Sequence, residues 1–413
     1  MKVNRVERII IKDKRLDNLC YLTKNLYNYA NYIIRQEFIT TTKEKEQGLR
    51  EKAYWIRYQE LYLKVKNSDD YKALPSQTAQ QTLKLLDQNW TAFFRAIKDW
   101  KTTPSKYQSR PKLPHYKNKD GRAIAIFTNQ QCKVKNGEII FPKFLDGFTI
   151  KTTVDNLQQV RVVPQATNFI IEIIYQKEVI KKEVDGDKII GVDVGMRNIA
   201  TITNNTGLRP VVVKGNVLKS INQFYNKKRA KLQEVYDKQK IKSGKKLSLL
   251  TEKRNRKVDD QIHKISRFMI NYATQNKVGK IIIGYNPNWK QRINIGKRNN
   301  QFFVQLPFLK LINQIDYKGV EVGIITIKQE ESHTSKCSFL DNESIEHHEV
   351  YLGKRISRGL FRTAKGIVIN ADVNGSLNII RKSNPEAICE SRLGRDRGTG
   401  LVPVRLSQPY KQN

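Results

Sequence analysis

Residues 189–205, Ile-Ile-Gly-Val-Asp-Val-Gly-Met-Arg-Asn-Ile-Ala-Thr-Ile-Thr-Asn-Asn, read as a strand, a tight turn and a second strand. Asp193 falls mid-strand in this reading, between Val192 and Val194, whose side chains belong in a core. A carboxylate buried alone there costs several kcal/mol, so it is either paired or holds a metal. Gly195 ends the strand and leaves room for a ligand beside the acid. A satisfied structural aspartate at a strand end is the plainer alternative.

Working outward, residues 209–215 (RPVVVKG) give a third strand. A long basic helical stretch runs from about Val217 to Gln275 and includes KKRAK, KIKSGKK and KRNRK. Val258, Ile262, Ile265, Met269 and Ala273 repeat on one face of its last part. Then come a buried strand at 280–286 (KIIIGYN), a helix from Phe303 to Tyr317, a strand at 322–328 (VGIITIK), an irregular segment, and a closing helix near Asp372. That order is the one an RNase H-like mixed sheet would have.

Asp372, in NADVNG, sits where a helix N-cap would sit, which alone needs no further explanation. Its relation to Asp193 adds to this. The two acids are 179 residues apart, one on the first strand of the expected sheet and one opening its last helix. An RNase H-like fold brings such carboxylates together around two Mg²⁺ roughly 3.5–4 Å apart. The third acid expected at the end of the fourth strand is missing, because Gly284 and Tyr285 stand there. The next strand ends in KQEESHTS, and neighbouring strand ends lie only about 5 Å apart. Glu331 or Glu330 is thus the candidate third ligand, against the reading of a solvated acidic pair.

The chain has 413 residues, enough for two or three domains, and 39% are hydrophobic. Lys and Arg number 76 against 39 Asp and Glu, a formal charge of +37 spread along the length. Phosphate is the natural counterpart, so nucleic acid is the expected partner, ahead of a merely solvated basic surface. The start lacks the apolar run of a signal peptide and no 18-residue apolar stretch occurs, so no membrane association is expected. Cys20, Cys132, Cys337 and Cys389 lie far apart without a CxxC, which excludes a disulfide framework and a zinc ribbon and fits a reducing cytoplasm. His333, Cys337, His347 and His348 match no standard zinc spacing.

Upstream, a helix is expected over 16–38 and another from about Pro75 to Trp100, where Ala79, Leu83, Leu86, Trp90, Phe93 and Ile97 step by threes and fours. Residues 101–121 read as an extended basic loop. From Ala123 to Ile180 short alternating runs suggest an antiparallel barrel or sheet. Gln77, Gln80 and Lys84 are candidates for reading bases, since Gln suits adenine edges and Lys guanine. Trp289, near Lys290 and Arg292, is either a base-stacking residue or core. Residues 352–369 (LGKRISRGLFRTAKGIVI) look like a basic hairpin, with Arg355 and Arg358 as candidate nucleic-acid contacts.

Six segments in order resemble the TnpB family, RNA-guided nucleases of bacterial insertion sequences and relatives of the type V CRISPR effectors. They are residues 74–98 (LPSQTAQQTLKLLDQNWTAFFRAIK), 191–202 (GVDVGMRNIATI), 263–267 (HKISR), 281–291 (IIIGYNPNWKQ), 331–338 (ESHTSKCS) and 370–379 (NADVNGSLNI). The resemblance implies an α/β multidomain layout. It would have a helical REC-like lobe over 16–104 and a WED-like β-barrel over 1–15 and 105–184. A RuvC-like nuclease domain would span 185–331 and 370–384, a target-strand-loading insertion (a degenerate zinc ribbon) 332–369, and a flexible tail 385–413. It also implies a guide RNA, a double-stranded DNA target beside a short adjacent motif, and Mg²⁺-dependent cleavage by Asp193, Glu331 and Asp372 in a cytoplasmic, nucleoid-associated protein, with a monomer favoured. The glutamate missing at Gly284 motivates the alternative of a guide-dependent DNA-binding protein that does not cut. A strand-transfer transposase is a weaker alternative, as no helix-turn-helix is evident.

Overall fold

The protein is described here from a computed structural model, covering residues 2–287, 289–291, 293–388 and 401–408. It divides into two compact units, residues 2–177 and the residues from 178 onward. No helix among the described residues is long and apolar enough to cross a membrane.

The first unit opens with β1 (Lys2–Ile11) and α1 (Lys14–Glu46), whose start is set by the Asp13 side chain accepting from the Arg15 amide at 2.8 Å. The helix runs past the expected end at residue 38, and beyond it buried Thr41 is held by hydrogen bonds with the Tyr54 backbone, both at 2.9 Å. Two short helices, α2 (Tyr58–Val65) and α3 (Asp69–Lys72), precede α4 (Ser76–Thr102), which begins directly after Pro75. Fully buried Trp90 locks α4 to α1, its indole donating to Asn31 Oδ1 at 3.0 Å.

The strands β2 (Ala125–Thr128), β3 (Lys133–Lys135), β4 (Glu138–Ile140), β5 (Thr149–Lys151), β6 (Leu157–Pro164) and β7 (Phe169–Glu178) follow. They form two sheets, β1-β7-β6-β2 and β3-β4-β5, in place of one closed barrel.

The second unit is built on a six-stranded sheet. Its strands are β8 (Asp185–Asp193), β9 (Asn198–Asn204), β10 (Val211–Lys214), β11 (Val278–Gly284), β12 (Ile325–Gln329) and, after the short strands β13 (Lys354–Ser357), β14 (Leu360–Arg362) and β15 (Val368–Asn370), β16 (Val404–Leu406). Their spatial order is β12-β11-β8-β9-β10-β16. The β8-β9-β10 meander is antiparallel, whereas β11 and β12 run parallel to β8. Parallel neighbours need crossovers, which the intervening helices provide. β16 lies parallel to β10, so part of the stretch expected as a flexible tail is a sheet strand.

The expected 217–275 helix is two helices, α5 (Asn216–Lys238) and α6 (Lys245–Gln275). The break falls at Lys240, which has a positive φ of 55°, and at Gly244, where a Cβ would stand 2.7 Å from the Tyr236 hydroxyl. The expected 303–317 helix is likewise α7 (Lys297–Gln305) and α8 (Phe308–Val322), separated at Pro307, which cannot donate to a continuing helix.

Alternation then decides which layer covers which face. Ile190, Val192, Ile281 and Ile283 share a core with Ile262, Met269, Leu311 and Ile315 of α6 and α8. Ile189 and Ile282 point the other way, into a core with Leu377 and Ile380 of α9 (Ala371–Ser383). α9 lies close on β8 at Gly191, where a Cβ would be 2.6 Å from Ser376 O and from Ile380 Cγ1.

Candidate active site

Asp193 is the last residue of β8 rather than a mid-strand one, so its carboxylate emerges at the strand end. Docking of α9 brings Asp372 to it. Asn370, not Asp372, caps this helix, its Oδ1 accepting from the Asp372 and Val373 amides at 3.0 and 3.1 Å. Asp372 is thereby released from capping and its carboxylate turns outward in the first turn, where the helix dipole favours a negative charge. There it accepts from Asn198 Nδ2 at 2.6 Å and pairs with Arg355 Nη2 at 3.2 Å. One turn on, Gly375 leaves space for Asp193, whose Oδ2 would stand 3.1 Å from a Cβ at that position.

Glu331 follows β12, and Gly284 ends the neighbouring β11 in register with Gln329. A Cβ on Gly284 would lie 2.4 Å from Glu331 Oε2, so this carboxylate occupies the space a side chain at 284 would enter. Asn286 holds it, accepting from the Glu331 amide at 3.2 Å and donating to Oε1 at 3.4 Å. Glu330 is engaged elsewhere, accepting from Lys382 Nζ at 2.7 Å and from the Ser332 amide at 2.7 Å.

The electrostatics separate these acids. Burial, then the charges of Asp372 and Glu331, push the Asp193 carboxyl well above the usual aspartate range, with Arg355 opposing. Burial, then Glu330, pushes Glu331 up to about 7. The hydrogen bonds from Lys382 and Ser332 hold Glu330 down at about 2. Two protonatable carboxyls beside a third are what a cation displaces protons from.

Asp193 and Asp372 line one cleft of about 810 Å³, together with Arg197, Lys214, Arg355, Arg358 and Arg405. Glu331 is not part of its lining. Among the described residues no three His, Cys, Asp or Glu groups stand close enough together to hold a metal ion as they are. In donor chemistry, however, Asp193, Asp372 and Glu331 fit Mg²⁺, a hard cation that takes carboxylate oxygens, and both glycines leave their carboxylates space.

The other sequence candidates fare unevenly. Lys290 is tied down, its Nζ donating to the carbonyls of Leu306 and, at 3.1 Å, of Val304, and burial lowers its pKa. It is a structural residue rather than a free phosphate contact. Trp289 packs against Phe303 and Phe308, with centroids 5.5 and 5.0 Å away, so the core reading holds. Arg292 lies outside the described residues.

Gln77 bonds Gln130 at 2.8 Å and accepts from Thr128, Gln80 bonds Tyr71, and Lys84 lies exposed over the Tyr58 ring. His333 Nδ1 meets the Tyr351 hydroxyl at 3.1 Å and buried Cys337 contacts Glu346 O at 3.7 Å, structural roles for both. Asn198, Asn286 and Arg405 were not anticipated. Asn198 and Asn286 each close a strand-end motif, GMRN and IIIGYN, and that shared position is the signal that marks them.

Two family models match the chain in sequence order. One, OrfB_IS605, described as a probable transposase, covers residues 172–290, and the other, the Cas12f1-like TNB domain, covers 308–379. The chain is 23% identical to the TnpB-like protein ORF457 of Acidianus two-tailed virus over 421 aligned residues, covering 90% of this chain and 84% of that one. It is 22% identical to a protein of Escherichia coli (strain K12) named as the RNA-guided DNA endonuclease InsQ, over 82% of each. Its fold is similar to that of the protein in a cryo-EM structure of a Cas12f1-sgRNA-target DNA complex, with a TM-score of 0.51 and 15% identity, over 93% of this chain and 99% of that one. The resemblance to the TnpB family thus extends over most of the chain, with both family models falling beyond residue 171.

Proposed function

We propose that this protein is an RNA-guided DNA endonuclease that hydrolyses a phosphodiester with Asp193, Glu331 and Asp372 as metal ligands. The observation that carries the reading is the Glu331 carboxylate, seated in the space beside Gly284. It restores a third acid to a strand end from which the sequence had removed it. Asp193, Glu331 and Asp372 would hold divalent cations, which would supply activation of the attacking water and stabilisation of the departing 3′ oxygen.

The chain's own residues do the rest. Asn198 and Asn286 orient Asp372 and Glu331. Arg355, Arg358 and Arg405 on the cleft wall hold phosphates of the strand to be cut. The rest of the +37 charge serves a guide RNA and its DNA heteroduplex, read by shape. Localisation to the nucleoid and a monomeric state belong to the same proposal.

The Arg355–Asp372 pair favours a second reading, in which the cation site is stopped by arginine and the protein binds guided DNA without cutting. A plasmid-cleavage assay with co-purified RNA and Mg²⁺ separates the two. Cutting by the wild type that Asp193→Ala abolishes supports the nuclease. No cutting across a library of adjacent motifs, with guided DNA binding retained, leaves the second reading.

A further inference from the structure

Beside the carboxylate cleft lies a second one, of about 720 Å³, a size within the range of small-ligand sites. The two share Met196, Arg197, Asn216 and Arg358. The second is walled by α5 and α7, and its chemistry differs from the first. Arg197, Lys219, Lys227, Arg298 and Arg358 supply five cations, and among the described residues no carboxylate lines it. It also presents an unusual density of amides.

Two of these amides are committed elsewhere, Asn226 exchanging hydrogen bonds with Gln305 at 3.2 and 2.8 Å and Asn299 donating to Ile295 O at 3.0 Å. The side chains of Asn216, Gln223 and Gln301, all exposed, have no hydrogen-bond partner among the described residues. Asn222, 1% exposed, accepts from Arg254 Nε at 2.8 Å, but its Nδ2 has no partner. An unpaired buried donor is costly, so its place in a ligand cleft calls for an occupant with acceptors. Half-buried Phe302 adds an aromatic face to the wall.

Cations alone answer to any phosphate. Free amides do not add to phosphate binding as strongly as a further cation would, whereas they match the donor and acceptor edges of unpaired bases, and an aromatic face stacks them. We infer that this cleft seats one or two unpaired nucleotides and discriminates among their bases. That these nucleotides belong to the strand being cut, just beyond the scissile phosphate, rests on the nuclease reading. The protein would then impose its own base preference near the cut, in addition to what a guide specifies.

The test uses the full chain with its co-purified RNA and fluorescent single-stranded DNAs of about ten nucleotides, oligo-dA, oligo-dC and oligo-dT, without divalent metal. Anisotropy titrations should give the wild type an affinity ratio of about fivefold between the best and the worst base, the scale of one or two base-edge contacts. Gln223→Ala with Gln301→Ala, both at exposed positions, should bring that ratio close to one while the mean affinity stays within about twofold. Asn222→Asp, isosteric but with an acceptor in place of the donor, should change the rank order of the bases. Arg298→Gln should weaken all three equally and lower the salt slope by about one.

A wild-type ratio of one, or a ratio that survives both amide variants, overturns the inference. A base-selective wild type that cuts no plasmid keeps the cleft and removes the nuclease reading. One that cuts but shows no preference does the reverse.

Discussion

Glu331 and Gly284 share one space: a methyl group on Gly284 would stand 2.4 Å from Glu331 Oε2. Gly284 ends β11 and Glu331 lies two residues beyond the end of the parallel strand β12, so the two positions are alternative origins for one carboxylate. Glu331→Gln should lower cleavage by roughly two orders of magnitude or more, and Glu330→Gln by no more than a few fold. Combining Gly284→Glu with Glu331→Ala should recover part of what Glu331→Ala loses. Equal activity of the two glutamine variants would reject the assignment of the ligand to Glu331.

Metal-free stability should fall as pH rises. The Glu331 carboxyl keeps its proton up to about pH 7 in the folded chain, against a usual value of 4.5, so the folded state binds more protons than the unfolded one across that window. Deprotonating it in place costs roughly 3 kcal/mol. Asp193 acts in the same direction. Glu330, held at about 2, has the opposite sign: its contribution is complete above its usual 4.5 and is lost as the pH falls from there toward about 2. Calorimetry from about pH 5 to about pH 8 should therefore show Mg²⁺ raising Tm more at the upper end, and Glu331→Gln should flatten the trend. A Tm gain that is the same at every pH counts against these carboxylates as the ligands.

Two glycines near the site should behave differently. Gly191→Ala forces a methyl into Ser376 O and Ile380 at 2.6 Å and should cost roughly 1–3 kcal/mol of stability, with activity falling alongside. Gly375→Ala presses on Asp193 Oδ2 at 3.1 Å, a contact that relaxes by a few tenths of an ångström. It should leave Tm nearly unchanged and slow cleavage by about tenfold, because small misplacements of a reacting group are expensive. Comparing Tm with single-turnover rates for the pair separates the two effects.

Arg355 competes with any cation for Asp372. The arginine is 53% exposed, so the pair is worth only what an exposed ion pair is worth. Arg355→Gln should lower the Mg²⁺ concentration for half-maximal thermal stabilisation by about two- to fivefold. The same variant should weaken DNA binding and reduce its salt slope by about one. An unchanged Mg²⁺ midpoint would show that the ion pair does not hold the acid.

Much of the six-stranded sheet was legible because most of its strands are apolar and those after β10 are separated by long amphipathic runs. The interruptions at Gly244 and Pro307 stood in plain sight, but the apolar spacing continues across both, and periodicity alone joins what the backbone separates. The cap of α9 was ambiguous for a chemical reason, since Asn370 and Asp372 are both capping types two residues apart. Asp193 and Asp372 could be paired on paper because acids are scarce in so basic a chain. The inward turn of Lys290 and the partnership of Asn198 with Asp372 depend on which surfaces face each other after folding, and no local pattern encodes that. β16 is three residues long, below what alternation can reveal.

The α9 arrangement also sets an order of events during synthesis. β8 leaves the ribosome with Asp193 long before residues 371–383 exist, and β16 comes later still. Residues 2–177, a compact unit, are complete before then. A product that stops short of residue 371 therefore carries the first acid without the second, whatever else of the sheet has formed. Under the nuclease proposal, a copy ended before residue 371 would lack Asp372 and could not cut the DNA it touches.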